Sequence, residues 1–495
     1  MRHGRYIITA IFILTLAARL IISFQTPFFT GDESYFSIRQ AEHISQNALP
    51  IYDDELSYSG RENIFMPLFY YLLAFFNLFM PIGLVGKIIP NILVSLNVIL
   101  VYVIAMHISN DEGASLFSAF VAGFIPVFFR ETVNTISPYT IFFPLMLFMI
   151  YCFLRLEQHP FAHLFLASLF LMTLTSPAVI IVLLALIFYM GLVQLENLKQ
   201  NKREVEMTLF SILFVVWILF IVYKKAFLMH GPDVIWQNIP AGILDRYFID
   251  ITILGAIYQI GSLPLSYGIY SIYDHLFRKK ERKYYLIIGL VFSSALLLWL
   301  KLIEIQLGLM CLGIAVTLLF PKFYKYTFQY IKKTRFAKLR FAYFAVLLAA
   351  FLATSVVPSV IYGLRATDDA ITPDEYGAMI WLRKNTDQDA VVMSPMREGM
   401  IITTIAERRN IADSNFMLLD DAEKRFNDIK DAYTTGFEIK ALEVFDKYDV
   451  DYIYFSDYSK DYFETSNLEY TSHEECFEEA YNQGAMIYKV MCELR

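Results

Sequence analysis

The chain has 495 residues, of which 57% are hydrophobic and only 18% charged, against roughly 25% charged residues in an ordinary soluble domain. A mean hydropathy of +0.48, with repeated apolar runs of roughly 17–25 residues, excludes a soluble or disordered chain and implies many membrane spans. The net charge of −7 gives no basic surface for a nucleic acid and is unevenly spread: residues 1–363 carry 27 Lys+Arg against 20 Asp+Glu, residues 364–495 carry 14 against 28. A basic membrane part followed by an acidic tail implies two environments.

Candidate spans in chain order are 6–24, 85–106, 114–129, 139–154, 161–175, 178–195, 207–223, 251–273, 284–300, 305–320 and 341–361, about eleven in all. The first lacks a convincing small-residue cleavage site and reads as a span, not a removable signal. Residues 67–80 are apolar but read as a helix lying along the membrane surface. Lys and Arg in short loops set the orientation. With the N-terminus inside, the basic loops 199–203, 278–283 and 322–340 all face the cytoplasm, while outer loops keep scattered cations such as Arg39, Arg61, Arg130 and Lys225. An odd number of spans then puts the first outer loop, residues 26–84, and the acidic tail outside.

The tail changes style. Residues 373–385 read as an amphipathic helix capped by Thr372 with Pro373 at its first position. Residues 390–394 form a short buried strand, 399–406 a helix or strand, 410–413 an edge strand, 439–448 a helix and 450–455 an alternating strand. Strands interleaved with helices imply a small α/β domain over residues 364–495. Cys152 and Cys311 lie in apolar runs as core residues, whereas Cys476 and Cys492 share the tail and can pair if it is extracytoplasmic.

Chemistry concentrates in the first outer loop. Residues 32–47 read as an amphipathic interfacial helix anchored by Tyr35, Phe36, Ile38 and Ile44, with Asp32 and Glu33 at its start. A carboxylate there can take a proton from an acceptor hydroxyl; the plainer alternative is a pair of acids stabilised by the helix dipole. Asp53-Asp54-Glu55 reads as a solvated turn, with cation binding the alternative. Arg19, late in the first span, is costly unless it pairs or snorkels, and can brace the loop of Asp32.

Asp-Glu-x-Tyr at 32–35, followed after about thirty residues by Pro-Leu-x-Tyr-Tyr-Leu-Leu at 67–73, resembles the GT-C polytopic membrane glycosyltransferases, the superfamily of protein O-mannosyltransferases, aminoarabinose transferases and oligosaccharyltransferase catalytic subunits. The resemblance implies an α-helical polytopic membrane protein of about eleven transmembrane helices over residues 1–363, with a C-terminal extracytoplasmic α/β domain. It implies inverting transfer of a sugar from a polyprenyl- or dolichyl-phosphate-linked donor to a hydroxyl on a protein, lipid or glycan. Carried over by position, Asp32 becomes the general base and Glu33 its neighbour. Glu131 is the one carboxylate of the second outer loop, placed earlier than the family's usual position near Ser137-Pro138, which leaves the second acidic role open. The Trp-Trp-Asp-Tyr-Gly signature of oligosaccharyltransferases is absent; a comparable region holds Ser394-Pro395-Met396-Arg397-Glu398-Gly399, so sequon recognition is not implied.

The leaving phosphate needs fixed positive charge. Arg61, Lys87, Arg130, Lys224, Lys225, Arg246 and Lys301 are the candidates, with Arg61, Lys87, Arg246 and Lys301 favoured and Tyr70 beside the sugar or isoprenoid; each cation has a snorkelling interface anchor as its bland alternative. Lys301 and Glu304 interrupt an apolar stretch and read as an outer hairpin tip. No metal-ligand set stands out, and a divalent cation (Mg or Mn) is left open as a cofactor. Two other classes compete: a lipid or polysaccharide flippase, which wants charges near the bilayer midplane, and a sensor whose tail binds a partner, for which eleven spans are excessive.

Overall fold

A computed structural model describes residues 2–231, 251–333, 340–472 and 475–494. The chain opens with α1 (Arg2–Ser23), then α2 (Asp32–Asn47), a two-strand hairpin of β1 (Asp53–Asp54) and β2 (Arg61–Glu62), and α3 (Leu68–Asn77). The bundle continues through α4 (Ile82–Ser109), α5 (Glu112–Gly123), α6 (Pro126–Thr132), α7 (Tyr139–Phe153), α8 (His159–Thr173), α9 (Val179–Leu195) and α10 (Lys202–His230). Among the described residues, six helices are long and apolar enough to cross a membrane: Gly4–Ser23, Ile82–Ser109, Glu112–Thr132, Lys202–His230, Arg282–Trp299 and Phe341–Asp368.

Three more of the expected spans are helices that fall short, Tyr139–Phe153, His159–Thr173 and Val179–Leu195, and the expected span 305–320 is the apolar first part of a longer helix, Ile305–Lys333. At 15 residues, α7 measures roughly 22 Å at 1.5 Å per residue, below the hydrocarbon thickness of about 30 Å. Phe142, Phe143, Met146, Leu169, Ile181 and Leu186 are fully buried in the bundle core, so these helices pack largely against protein. The eleventh expectation, a continuous span over 251–273, is corrected. Helices Ile253–Ile260 and Ser262–Asp274 meet at Gly261, whose φ of 97° breaks the helix. A side chain there is disfavoured by that backbone and by the Ser355 Oγ, 2.8 Å from where a Cβ would sit.

The helices expected over 32–47 and within 67–80 both form, and the apolar side of α2 packs against protein. Tyr35, Phe36, Phe69, Tyr70 and Leu73 join Met379, Val392, Met400, Ile402 and Tyr454 in one apolar cluster. The tail therefore packs directly on the first outer loop.

Residues 373–494 build a five-stranded sheet in the order β4 (Arg409–Asn410), β3 (Val391–Met393), β5 (Tyr452–Phe455), β7 (Ala485–Val490), β6 (Phe477–Gln483). The first three strands are parallel and the last two form an antiparallel hairpin. The helix Pro373–Asn385 carries the expected cap: Thr372 Oγ1 accepts from the Glu375 N–H, and the Glu375 carboxylate accepts from the Thr372 N–H at 2.7 Å. The alternation read in 450–455 has a different meaning from core against water. Tyr452 and Tyr454 enter the cluster shared with the first loop, while Ile453 and Phe455 enter a second core with Tyr433, Leu442 and Phe445. Cys476 and Cys492 are disulfide-bonded and tie the start of β6 to the end of β7; Cys152 and Cys311 are buried free thiols.

Candidate active site

Gly31, at φ 80°, turns the chain into α2 and places Asp32 and Glu33 in its first turn. The two acids then part company. Asp32 is buried against the tail, its Oδ1 accepting the Met400 N–H at 2.8 Å and its Oδ2 accepting the Ser414 hydroxyl at 2.7 Å. Burial and the neighbouring charge of Asp413 hold its carboxyl well above the usual range, against the pull of those hydrogen bonds. Glu33 is reached by solvent, yet the protein around it is dense enough to desolvate it. That desolvation, then the charges of Glu304 and Glu131, push its carboxyl up to about 8.

Two more carboxylates, from distant parts of the chain, lie within electrostatic reach of Glu33. Glu131, at the end of α6, is paired with Arg130 at 3.3 Å, and its side chain is 27% exposed. Glu304, in the turn between helices Arg282–Trp299 and Ile305–Lys333, is half-buried and accepts from the Tyr139 hydroxyl at 3.4 Å. Burial holds its carboxyl above the ordinary range. Tyr70 lies close enough to Glu33 to feel its charge, its ring set edge-on against Phe36 at 5.6 Å and Phe65 at 5.1 Å. Three mutually repelling carboxylates reachable by solvent are placed to accept a proton at neutral pH. Among the described residues, no three His, Cys, Asp or Glu side chains converge as metal ligands. No step is routed through a metal ion.

The second outer loop is fixed from beneath. Buried Arg19 donates to Asn91 Oδ1 at 2.9 Å, to the Thr132 carbonyl at 2.9 Å and to Thr132 Oγ1 at 2.6 Å. It therefore braces the loop of Glu131 and not, as expected, that of Asp32. Lys87, a candidate for the donor phosphate, is buried; its Nζ donates to the Phe28 carbonyl at 2.7 Å and to Asn134 Oδ1, joining the first two outer loops.

Arg61, the other favoured cation, is also committed within the protein: it pairs with Asp413 at 3.0 Å and donates to Ser57 Oγ at 2.6 Å. Both arginine and lysine are spent on holding loops together. Asp54 corrects the reading of a solvated turn: it is buried and takes a bidentate grip from Arg39, both contacts at 2.8 Å. Asp53 and Glu55 beside it are exposed. Lys225 pairs with Glu62 at 2.5 Å. Lys301 sits exposed at the expected hairpin tip with φ 55°. Arg246 lies outside the described residues. Sequence reading missed Met400, Asp413 and Ser414 as partners of the first loop, because nothing in a short tail segment signals contact with a residue hundreds of positions earlier.

No protein-family model matches the chain, and no curated protein matches it by sequence. Solved structures do. The oligosaccharyltransferase of Archaeoglobus fulgidus, in complex with an inhibitory peptide and a dolichol-phosphate, superposes with a TM-score of 0.68 at 15% identity, covering 98% of this chain and 74% of its own. The mycobacterial arabinofuranosyltransferase AftD gives 0.59 at 14% identity over 97% of this chain and 40% of its own. ArnT from Cupriavidus metallidurans, bound to undecaprenyl phosphate, gives 0.55 at 9% identity over 97% of both chains. Identities this low carry the architecture alone: the chain is a membrane protein with the GT-C fold of polytopic glycosyltransferases.

Proposed function

We propose that the chain is a glycosyltransferase that moves a sugar from a polyprenyl- or dolichyl-phosphate carrier to a hydroxyl on a protein, lipid or glycan at the outer membrane face. One observation carries this reading: the carboxylates of Glu33, Glu131 and Glu304, from separate parts of the chain, lie within electrostatic reach of one another and beside exposed Arg130. Two similar folds, the Archaeoglobus oligosaccharyltransferase and ArnT, are solved with dolichol-phosphate and undecaprenyl phosphate respectively, which supports a donor of this class.

The general base passes from Asp32, the residue favoured by sequence, to Glu33. A base must touch the hydroxyl it deprotonates, and Asp32 is sealed with both oxygens occupied, whereas Glu33 is open. The acceptor oxygen loses its proton to Glu33 and forms a bond to the anomeric carbon. The bond from that carbon to the donor phosphate breaks on the opposite face, giving inversion. Arg130 offsets the charge on the departing phosphate. Asp32 holds the first turn of α2 against the tail and so positions Glu33. The outer location of these carboxylates and of the tail rests on the charge bias of the loops.

Against the flippase reading stands the state of Arg19: the ionisable group in the first span is engaged by three hydrogen bonds to neighbouring helices, as a structural brace is. The test is transfer itself. Purified protein given a radiolabelled polyprenyl-phosphate sugar releases the polyprenyl phosphate and passes label to a hydroxyl acceptor with inverted anomeric configuration. Movement of intact donor from one leaflet to the other without cleavage contradicts the proposal.

A further inference from the structure

With Arg61 and Lys87 committed to internal contacts, a second cation to act with Arg130 has to come from elsewhere. Arg397 is exposed and, among the described residues, makes no hydrogen bond or ion pair, although the turn that carries it is pinned on both sides. The buried Glu398 next to it accepts from Ser456 Oγ at 2.7 Å. The Met400 N–H is held by Asp32 at 2.8 Å, and the Gly399 carbonyl accepts from Asn410 Nδ2 at 2.8 Å. Gly399 itself admits no side chain, since a Cβ there would lie 2.1 Å from the Ala412 carbonyl oxygen.

The turn leaves the carboxyl end of β3, with β4 on one side and β5 on the other. This is the switch point at which parallel sheets bind ligands. Through Met400 and Asp32 it is clamped to the first turn of α2, one residue from Glu33, and Arg397 is near enough for its charge to act on Glu131. A guanidinium without an ion-pair partner among the described residues, carried on a pinned turn near these carboxylates, is suited to an anion that arrives with the substrate.

Resting on the function proposed above, we infer that Arg397, supplied by the tail domain, binds the phosphate of the lipid-linked donor together with Arg130 of the second outer loop. The tail then completes the donor site, so a chain lacking this contact holds its donor weakly while the membrane bundle and the carboxylates stay intact.

The experiment is a titration of the full-length protein in lipid nanodiscs with undecaprenyl phosphate, comparing wild type, Arg397→Gln and Arg397→Lys. Undecaprenol and inorganic phosphate serve as separate probes. Loss of a charge-assisted contact weakens undecaprenyl phosphate binding by roughly tenfold or more in Arg397→Gln. Arg397→Lys falls between, because a point charge keeps attraction but loses the bidentate fork. Undecaprenol binds all three proteins alike. Inorganic phosphate competes with undecaprenyl phosphate in wild type and less well in Arg397→Gln; competition by inorganic phosphate equal in both proteins overturns the assignment. So does equal affinity of wild type and Arg397→Gln for undecaprenyl phosphate, and transfer that depends on Glu33 would then leave the proposed function standing. A wild-type protein that binds undecaprenol but not undecaprenyl phosphate overturns both.

Discussion

The Ser414 hydroxyl donates a 2.7 Å hydrogen bond to Asp32 Oδ2, joining residues 382 positions apart and fastening the tail to the first turn of α2. Removing it in Ser414→Ala takes the side-chain donor from one oxygen of the buried carboxyl. The α2 start loosens, and Glu33, one residue on, loses its aim; misplacement by about 1 Å can cost on the order of 100-fold in rate. We expect kcat to fall between about 10- and 100-fold with the donor KM little changed. Steady-state kinetics check this, and a rise in KM at constant kcat contradicts it.

Glu33 acts as a base only when ionised, and its carboxyl is pushed up to about 8 by burial and then by Glu304 and Glu131. Transfer therefore rises with pH, about tenfold per unit below that value, and levels above it. The limb belongs to the coupled carboxylates as a set. Glu304→Gln removes the larger of the two neighbouring charges and moves the limb to lower pH. A pH profile of kcat/KM that turns over near an ordinary carboxylate value, or that ignores Glu304→Gln, is inconsistent with this arrangement.

The Arg61–Asp413 pair is almost dry, with side-chain exposures of 2% and 0%. Arg61→Ala strands Asp413 beside Asp32, and breaking one partner of such a pair costs about 3–5 kcal/mol. The tail should then release from the first loop before the bundle unfolds. Limited proteolysis is the check: cleavage within the tail accelerates at a temperature where wild type resists.

Glu398 is buried in the tail with its carboxyl pushed up to about 8, chiefly by desolvation, and opposed by Ser456. The folded state therefore binds its proton more tightly than the unfolded state does. The stabilising contribution of the protonated form is complete below the unfolded pKa of about 4.3 and declines as pH rises through about 8. Glu398→Gln mimics the neutral form, so its Tm should exceed wild type at pH 8 and match it near pH 4. Thermal unfolding at both pH values decides the matter; a Tm gain of equal size at both removes the proton linkage.

Much of the architecture was readable because local signals act alone. Asp32–Asn47 and Pro373–Asn385 begin and end within a residue of where periodicity and capping chemistry put them. The long spans followed from apolar length. What escaped notice depended on packing. Gly261 breaks a run that hydropathy reads as continuous, and Asp54 is buried because Arg39 happens to face it. The division of labour between Asp32 and Glu33 was invisible for the same reason. Adjacent residues on a helix point about 100° apart, and only the tail's position decides which of the two stays open to substrate.

That division is most directly tested by single-turnover transfer from a labelled polyprenyl-phosphate sugar in Glu33→Gln and Asp32→Asn. Losing the base costs about 10²- to 10⁴-fold in the chemical step, so Glu33→Gln should sit in that range while Asp32→Asn retains more of the wild-type rate. Wild-type turnover in Glu33→Gln alongside a dead Asp32→Asn contradicts the account and returns the proton to the buried aspartate.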